Sequence, residues 1–194
     1  KRIGAMPLPP YIRSSLTDLE RYQTVYARRM ASAAAPTAGL HFTPELMARI
    51  VAKGVLVETV ELVVGLDTFK PISTDDPLDH LIHSEFYSVE QRVMDACNKA
   101  TRVIAIGTTA TRALESVAAS GQLTGRTSLF ITPGFQWKVV DMMLTNFHLP
   151  KSTLLMLVSA LIGLEQMKSI YSHAIKQKYR FFSYGDSSLL VPQR

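Results

Sequence analysis

The residues of this chain most capable of chemistry sit where a fold could gather them. In "TNFHLPK", His148 follows Asn146 by two positions, and Pro150 restricts the backbone just beyond. An imidazole titrates near neutrality, so His148 is a candidate acid or base. The plain alternative is a core histidine with both nitrogens satisfied. In "HSE", His83 and Glu85 are two residues apart and share one side of a strand. There the carboxylate either orients the ring and raises its basicity, or forms a structural pair with it. His41 ends the small-residue run "ASAAAPTAGLH" and is a third candidate, whereas His80 and His173 read as solvated. Small side chains let the backbone approach something closely, either another strand or a ligand.

Other polar groups cluster at the ends of apolar runs. They are Gly107-Thr108-Thr109, Thr132-Pro133-Gly134, Thr145-Asn146-Phe147-His148 and Ser183-Tyr184-Gly185-Asp186. In α/β architectures ligands collect at the carboxyl ends of strands, so the convergence says more than any one motif. The Gly-Thr-Thr turn is an ordinary helix start, or one whose amides hold a carboxylate or phosphate. Arg112 and Glu115, three residues apart, have the spacing to pair with each other. Three histidines without HExxH or a close-set ligand pair argue against a metal site. The single cysteine, Cys97, excludes an internal disulfide and reads as a small buried residue. GxGxxG, GxxxxGK[ST] and GxSxG are absent, which removes support for dinucleotide, P-loop and serine-hydrolase readings. A net charge of +5 leans towards a polyanionic partner. Arg28, Arg29, Lys138, Lys151 and Arg180, interleaved with Tyr22, Trp137 and Tyr184, are candidates to meet a nucleic-acid backbone. Each taken singly is an ordinary solvated charge.

The elements that must position these groups follow from periodicity. With 47% apolar and 19% charged residues over 194 positions, the chain suits one α/β domain, residues 1–194. Pro7 to Tyr11 is extended, and "DLERYQTVYARRM" has helical spacing of Leu19, Tyr22, Val25 and Tyr26. Thr43 caps a helix that begins at Pro44 and ends near Lys53-Gly54. Residues 55–64 read as a strand covered on both faces, and "IHSEFYSV" as another, followed by a helix from about Glu90 to Ala100. "RVIAIGTTATRALESVAAS" is a buried strand, a turn and a helix. "TSLFITPG", "VDMMLTNF" and "YRFFSYG" read as strands; "KSTLLMLVSALIG" and "EQMKSIYSHAIKQK" read as helices. The alternation predicts an α/β fold with a largely parallel sheet flanked by helices. The longest apolar stretch, Leu154 to Leu164, is about half the ~20 residues of a membrane span. With no secretion-type stretch at the start, the expectation is a cytoplasmic protein without a membrane partner. The chain begins without methionine, which suits a processed chain or a fragment.

Set in order, "MPLPPYI", "ERYQTVYA", "AAPTAGLHFT", "HSE", "VIAIGTT" with Arg112 and Glu115, "LFITPGF", "VVDMMLTNFHLPKSTLLMLVSA" and "YRFFSYGD" resemble the S-adenosylmethionine:tRNA ribosyltransferase-isomerase family of queuosine biosynthesis. The resemblance covers nearly the whole chain, and "TNFHLPKSTLLMLVSA" is its most specific part. It implies transfer of the S-adenosylmethionine ribosyl group to the aminomethyl group of a deazaguanine at the tRNA wobble position. The ring isomerises, epoxyqueuosine forms, and adenine and methionine leave. The implied partners are tRNA and S-adenosylmethionine, the latter a co-substrate; no cofactor is implied. A sulfonium acidifies the adjacent C5′ hydrogens, and adenine departure needs a proton donor or polar support. His41, His83 with Glu85, and His148 are candidates for those roles. Asn146 and Asp186 would orient sugar hydroxyls or the amine, and the Gly-Thr-Thr turn would take the methionine carboxylate. Arg112, Pro133, Gly134 and Tyr184 complete the expected substrate contacts. The family pattern also implies an upstream segment completing a barrel-like domain, with an "NDTRV"-type motif, and an inserted β-rich domain, neither present in these 194 residues. Val63 stands where the family usually has His, Ala31 and Asp67 where Gly is common, and Ser187-Ser188 where Ala-Met is usual. These departures suit a fragment or a diverged relative that binds tRNA or S-adenosylmethionine without catalysis, or a structural subunit.

Overall fold

The computed structural model describes residues 22–27, 35–63, 82 and 84–193. Expectations for Arg28, Arg29, Ala31, Asp67, His83 and the extended start fall outside these residues. Tyr22 to Ala27 forms turns, so the described part of the first expected helix is not α-helical. A 3-10 helix, Thr37–His41, follows, and then α1 (Pro44–Ala52). The Thr43 hydroxyl accepts the Leu46 amide, and Pro44 occupies the first turn, as the capping pattern predicts. After α1 come β1 (Glu61–Val63), β2 (Glu85–Ser88), α2 (Gln91–Lys99), β3 (Ile104–Ile106) and α3 (Gly107–Ser120). The chain continues through β4 (Thr124–Thr127), β5 (Met142–Asn146), α4 (Thr153–Ile162), α5 (Leu164–Lys176) and β6 (Ser187–Leu190).

The strands form two three-stranded sheets rather than one largely parallel sheet. In the first, β2 lies between β1 and β4, and both pairings are antiparallel. In the second, β5 lies between β3, to which it is parallel, and β6, to which it is antiparallel. Among the described residues only β3–β5 is a parallel pairing, and no closed barrel is formed. Strands of only three to five residues read alike in either direction. Their connections decide the matter: β3 reaches β5 past α3 and β4 as a crossover, whereas β6 returns from α5 against the direction of β5.

Helix α3 lies between the sheets and ties them together, touching β1 and β4 on one side and β3 and β5 on the other. Its Ala113, Leu114 and Val117 join Leu62, Tyr87, Val93, Met94 and Ala105 in one apolar cluster. A second cluster joins Met143, Leu157, Val158, Leu161, Ile162 and Leu190. Trp137 packs against both and donates from Nε1 to the Ala160 carbonyl at 3.1 Å. The fully buried Glu115 accepts backbone N–H groups of Lys138, Val139 and Val140 at 2.9–3.1 Å, pinning that loop to α3. It does not pair with Arg112, although the spacing allowed it. Helices α4 and α5 turn through 115° at Gly163, and no single helix among the described residues is long and apolar enough to cross a membrane.

Candidate active site

Three elements meet at the end of β5. The last residue of β5, Asn146, is 3% exposed and pairs in register with Ser187, the first residue of β6. The 3-10 helix lies across the same end. Thr37 Oγ1 donates to Asn146 Oδ1 at 3.0 Å, and Asn146 Nδ2 donates to His41 Nε2 at 3.1 Å. The small-residue run is needed because the chain packs closely on itself here. A Cβ on Gly39 would come within 2.0 Å of Tyr26 Oη and 2.8 Å of Thr24 Cγ2. Gly107, at φ +89 as the first residue of α3, brings the Gly-Thr-Thr start of that helix alongside Ala38.

The segment before β6 supplies the opposite wall. "YRFFSYG" reads as a strand by its aromatic content, but residues 180–186 close into a loop. The Asp186 N–H donates to the Arg180 carbonyl at 2.7 Å, and the Arg180 N–H donates back to Asp186 Oδ2 at 2.7 Å. Gly185 permits this closure, since a Cβ there would lie 2.3 Å from the Arg180 carbonyl oxygen and 2.4 Å from that of Phe181. Phe182 adopts φ +72 and donates its N–H to the Phe147 carbonyl, which interrupts any strand. Phe147 packs against Tyr171, Tyr179 and Phe181, so an aromatic cluster fixes the loop to the end of β5.

Between these walls lies an open crevice of about 520 Å³ lined by Leu40, His41, Tyr179, Arg180, Ser183, Tyr184, Gly185, Asp186 and Ser187. Its volume falls in the range of sites for nucleoside-sized ligands. Asp186 is its one acidic side chain. The Arg180 N–H holds that carboxyl below the usual carboxylate range, with the charges of Arg180 and His41 acting in the same sense. Burial lowers the His41 pKa, opposed by Asp186, so the ring is neutral near pH 7. Tyr184 is 40% exposed, with its ring centroid 6.0 Å from that of the buried Tyr22.

The structure thus brings together His41, Asn146 and Asp186, with Tyr184 and Arg180 at the same rim. The other sequence candidates stand apart from the crevice lining. His148 Nε2 lies 2.9 Å from Thr145 Oγ1, and its backbone N–H donates to Tyr171 Oη at 3.0 Å. Thr145 and Asn146 alternate across β5, so the His148 ring lies on the side opposite His41. Desolvation pulls its pKa down to about 4. Glu85, 4% exposed, forms an ion pair with Arg112, whose Nε also donates to the Leu129 carbonyl. Thr108 and Thr109 occupy the first turn of α3, while Pro133 and Gly134 form an exposed turn. Lys138 Nζ donates to the Ala118 carbonyl, and Lys151 is an exposed turn residue at φ +57. Val63, at the end of β1, pairs with Phe86. Among the described residues no group of three or more His, Cys, Asp and Glu side chains is placed to hold a metal ion. Thr37 and Tyr179 belong to the site but were not singled out by sequence, whereas Ser183 stood in one of the polar clusters and Ser187 stood out only as a departure from the family pattern. The signal for Thr37 was its place in the "APTAG" run, and that for Tyr179 its place directly before Arg180.

Comparison with known proteins places these features in a family context. The family described as "Queuosine biosynthesis protein" matches residues 1–190. A protein of Acaryochloris marina named S-adenosylmethionine:tRNA ribosyltransferase-isomerase is 52% identical over 100% of this chain and 54% of its own length. A protein of the same name from Carboxydothermus hydrogenoformans is 52% identical over 98% of this chain and 58% of its own. The crystal structure of S-adenosylmethionine tRNA ribosyltransferase from Thermotoga maritima superposes with a TM-score of 0.67 at 41% identity. That match covers 80% of this chain and 51% of the Thermotoga chain. The chain spans a little over half the length of the curated relatives it matches.

Proposed function

The chain belongs to the queuosine biosynthesis protein family, and from that membership we propose that it takes part in transferring and isomerising the ribosyl group of S-adenosylmethionine onto a tRNA base. The acceptor is the aminomethyl group of 7-aminomethyl-7-deazaguanine at the wobble position, and the products are epoxyqueuosine-tRNA, adenine and methionine. Residues 1–194 serve this reaction as one α/β domain in the cytoplasm, where the tRNA substrate resides. The observation that carries the reading is the family match over residues 1–190.

The crevice suits the charges involved. The sulfonium and the protonated aminomethyl group are both cations, and Asp186 supplies a carboxylate ionised throughout the neutral range. Tyr184 and Tyr179 offer partly exposed rings on which an unstacked base can lie, and Arg180 beside them can meet a phosphate. His41, neutral and tied to Asn146, is the group best placed to give polar support to departing adenine or to relay a proton from the acidified C5′ carbon. The buried His148 ring instead meets Thr145 Oγ1, while its backbone N–H ties the end of β5 to Tyr171 of α5.

Val63, where a donor side chain is usual in the family, favours a second reading in which the chain binds tRNA or S-adenosylmethionine without turnover. Incubation with deazaguanine-modified tRNA and S-adenosylmethionine, followed by nucleoside mass analysis, tests the first reading. Epoxyqueuosine in the tRNA supports it; saturable binding of either compound without adenine release favours the second.

A further inference from the structure

Helix α5 ends beside the crevice, and its last turn is closed against local preference. The Lys178 N–H donates to the Ile175 carbonyl at 3.1 Å, and the Tyr179 N–H reaches back to the Ala174 carbonyl at 2.9 Å. This closure needs one residue in the left-handed region, and Lys178 supplies it at φ +58. Glycine ordinarily takes that place, because any Cβ there crowds the following carbonyl, and Gly121 does so after α3 at φ +72. Lysine therefore stands where glycine would be less strained. Helix-dipole compensation does not account for it, since His173 and Lys176 already occupy the last turn. The Tyr179 ring packs against Phe147 and His173, which fixes the direction in which the chain leaves the helix.

The position of the charge gives this lysine a use. Tyr179 and Arg180, the next two residues, line the crevice. Lys176 and Lys178 are exposed, Ile175 is 67% exposed, and Ala174 is the one buried residue of α5. Arg180 lies 3.5 Å from Asp186, so the two charges of the rim offset one another. Among the described residues Lys176 and Lys178 have no ion-pair partner, so the uncompensated positive charge at this end of the crevice is theirs. We propose that Lys176 and Lys178 form a phosphate-binding lip that grips the backbone of the RNA strand whose base enters the crevice. The lip deepens the proposed function and rests on it for the identity of the RNA. Compact ammonium groups on long stems suit phosphates, whose contact positions a strand without reading its sequence.

The test is binding of deazaguanine-modified tRNA to the full chain, read by fluorescence anisotropy from about 50 to 200 mM salt. Lys178→Gly removes the charge and relieves the backbone, so the variant should melt no lower than wild type. It should nevertheless bind tRNA about 3-fold or more weakly, with a log–log salt slope shallower by about 0.7. Lys176→Gln should do the same without touching the turn. Lys99→Gln, which removes one charge from the last turn of α2, should leave affinity and slope near wild type. S-adenosylmethionine affinity should be unchanged in all three. Wild-type tRNA affinity and slope in Lys178→Gly and Lys176→Gln would overturn the lip and leave the proposed reaction standing. An equal loss in Lys99→Gln would reduce the effect to net charge and overturn it too. A wild-type chain that binds no tRNA would overturn the lip and the proposed function together. The expected losses in a chain that forms no epoxyqueuosine would uphold the lip and remove only the reaction.

Discussion

Asp186 and His148 show how differently two titratable groups at one strand end can be used. Asp186 is held in its charged form and faces an open crevice, so its value lies in what it attracts. Asp186→Asn keeps an acceptor for the Arg180 N–H and removes only the charge. It should therefore weaken S-adenosylmethionine binding by about 10-fold or more, as read by calorimetric titration, with little change in melting temperature. His148 is held neutral, and its value lies in stability. Its folded pKa of about 4 lies below the ordinary histidine value, so between pH 6.5 and 4 the unfolded state binds more protons than the folded one. Its contribution is complete above about pH 6.5 and is lost as pH falls towards 4, an effect of up to ~3 kcal/mol. Urea midpoints across that range should show the slope, and His148→Asn should flatten it. Sequence pointed to Asn146, His41 and Asp186 but could not connect them. The Thr37–Asn146–His41 chain joins positions more than 100 residues apart, and nothing in local spacing encodes such a contact.

At the scale of elements, the loop 180–186 carries the most consequence per residue. Gly185→Ala places a methyl group against two carbonyl oxygens of the same loop and must open it. A loss of about 1–3 kcal/mol is expected in thermal or urea unfolding, together with loss of ligand binding as Asp186 is displaced. Thr43→Ala should cost about 1 kcal/mol through the lost cap and leave binding unchanged, because α1 carries no crevice residue. Equal loss of binding in both variants would mean that the loop has no special role. The capped start of α1 and the strand–turn–helix of β3 and α3 were legible because caps, glycines and 3.6-residue spacing are local signals. The loop was not: its aromatic residues mimic a strand, and only the backbone contact at Gly185 and the positive φ of Phe182 reveal the turn.

At the scale of the whole molecule, two small sheets and two apolar clusters act as one body through α3, Trp137 and the Glu115 carboxylate. The α/β character was visible in the alternation of patterns. The strand directions were not, because strands of three to five residues carry no mark of direction. What the architecture achieves is to hold the 3-10 helix, the end of β5 and the loop before β6 around one crevice. The claim that this crevice is where ribosyl transfer takes place is tested most directly by adenine release under single-turnover conditions with modified tRNA and S-adenosylmethionine. The account predicts release by the wild-type chain, slowed at least ~10-fold in both His41→Gln and Asp186→Asn at unchanged melting temperature. Wild-type rates in the two variants would contradict it.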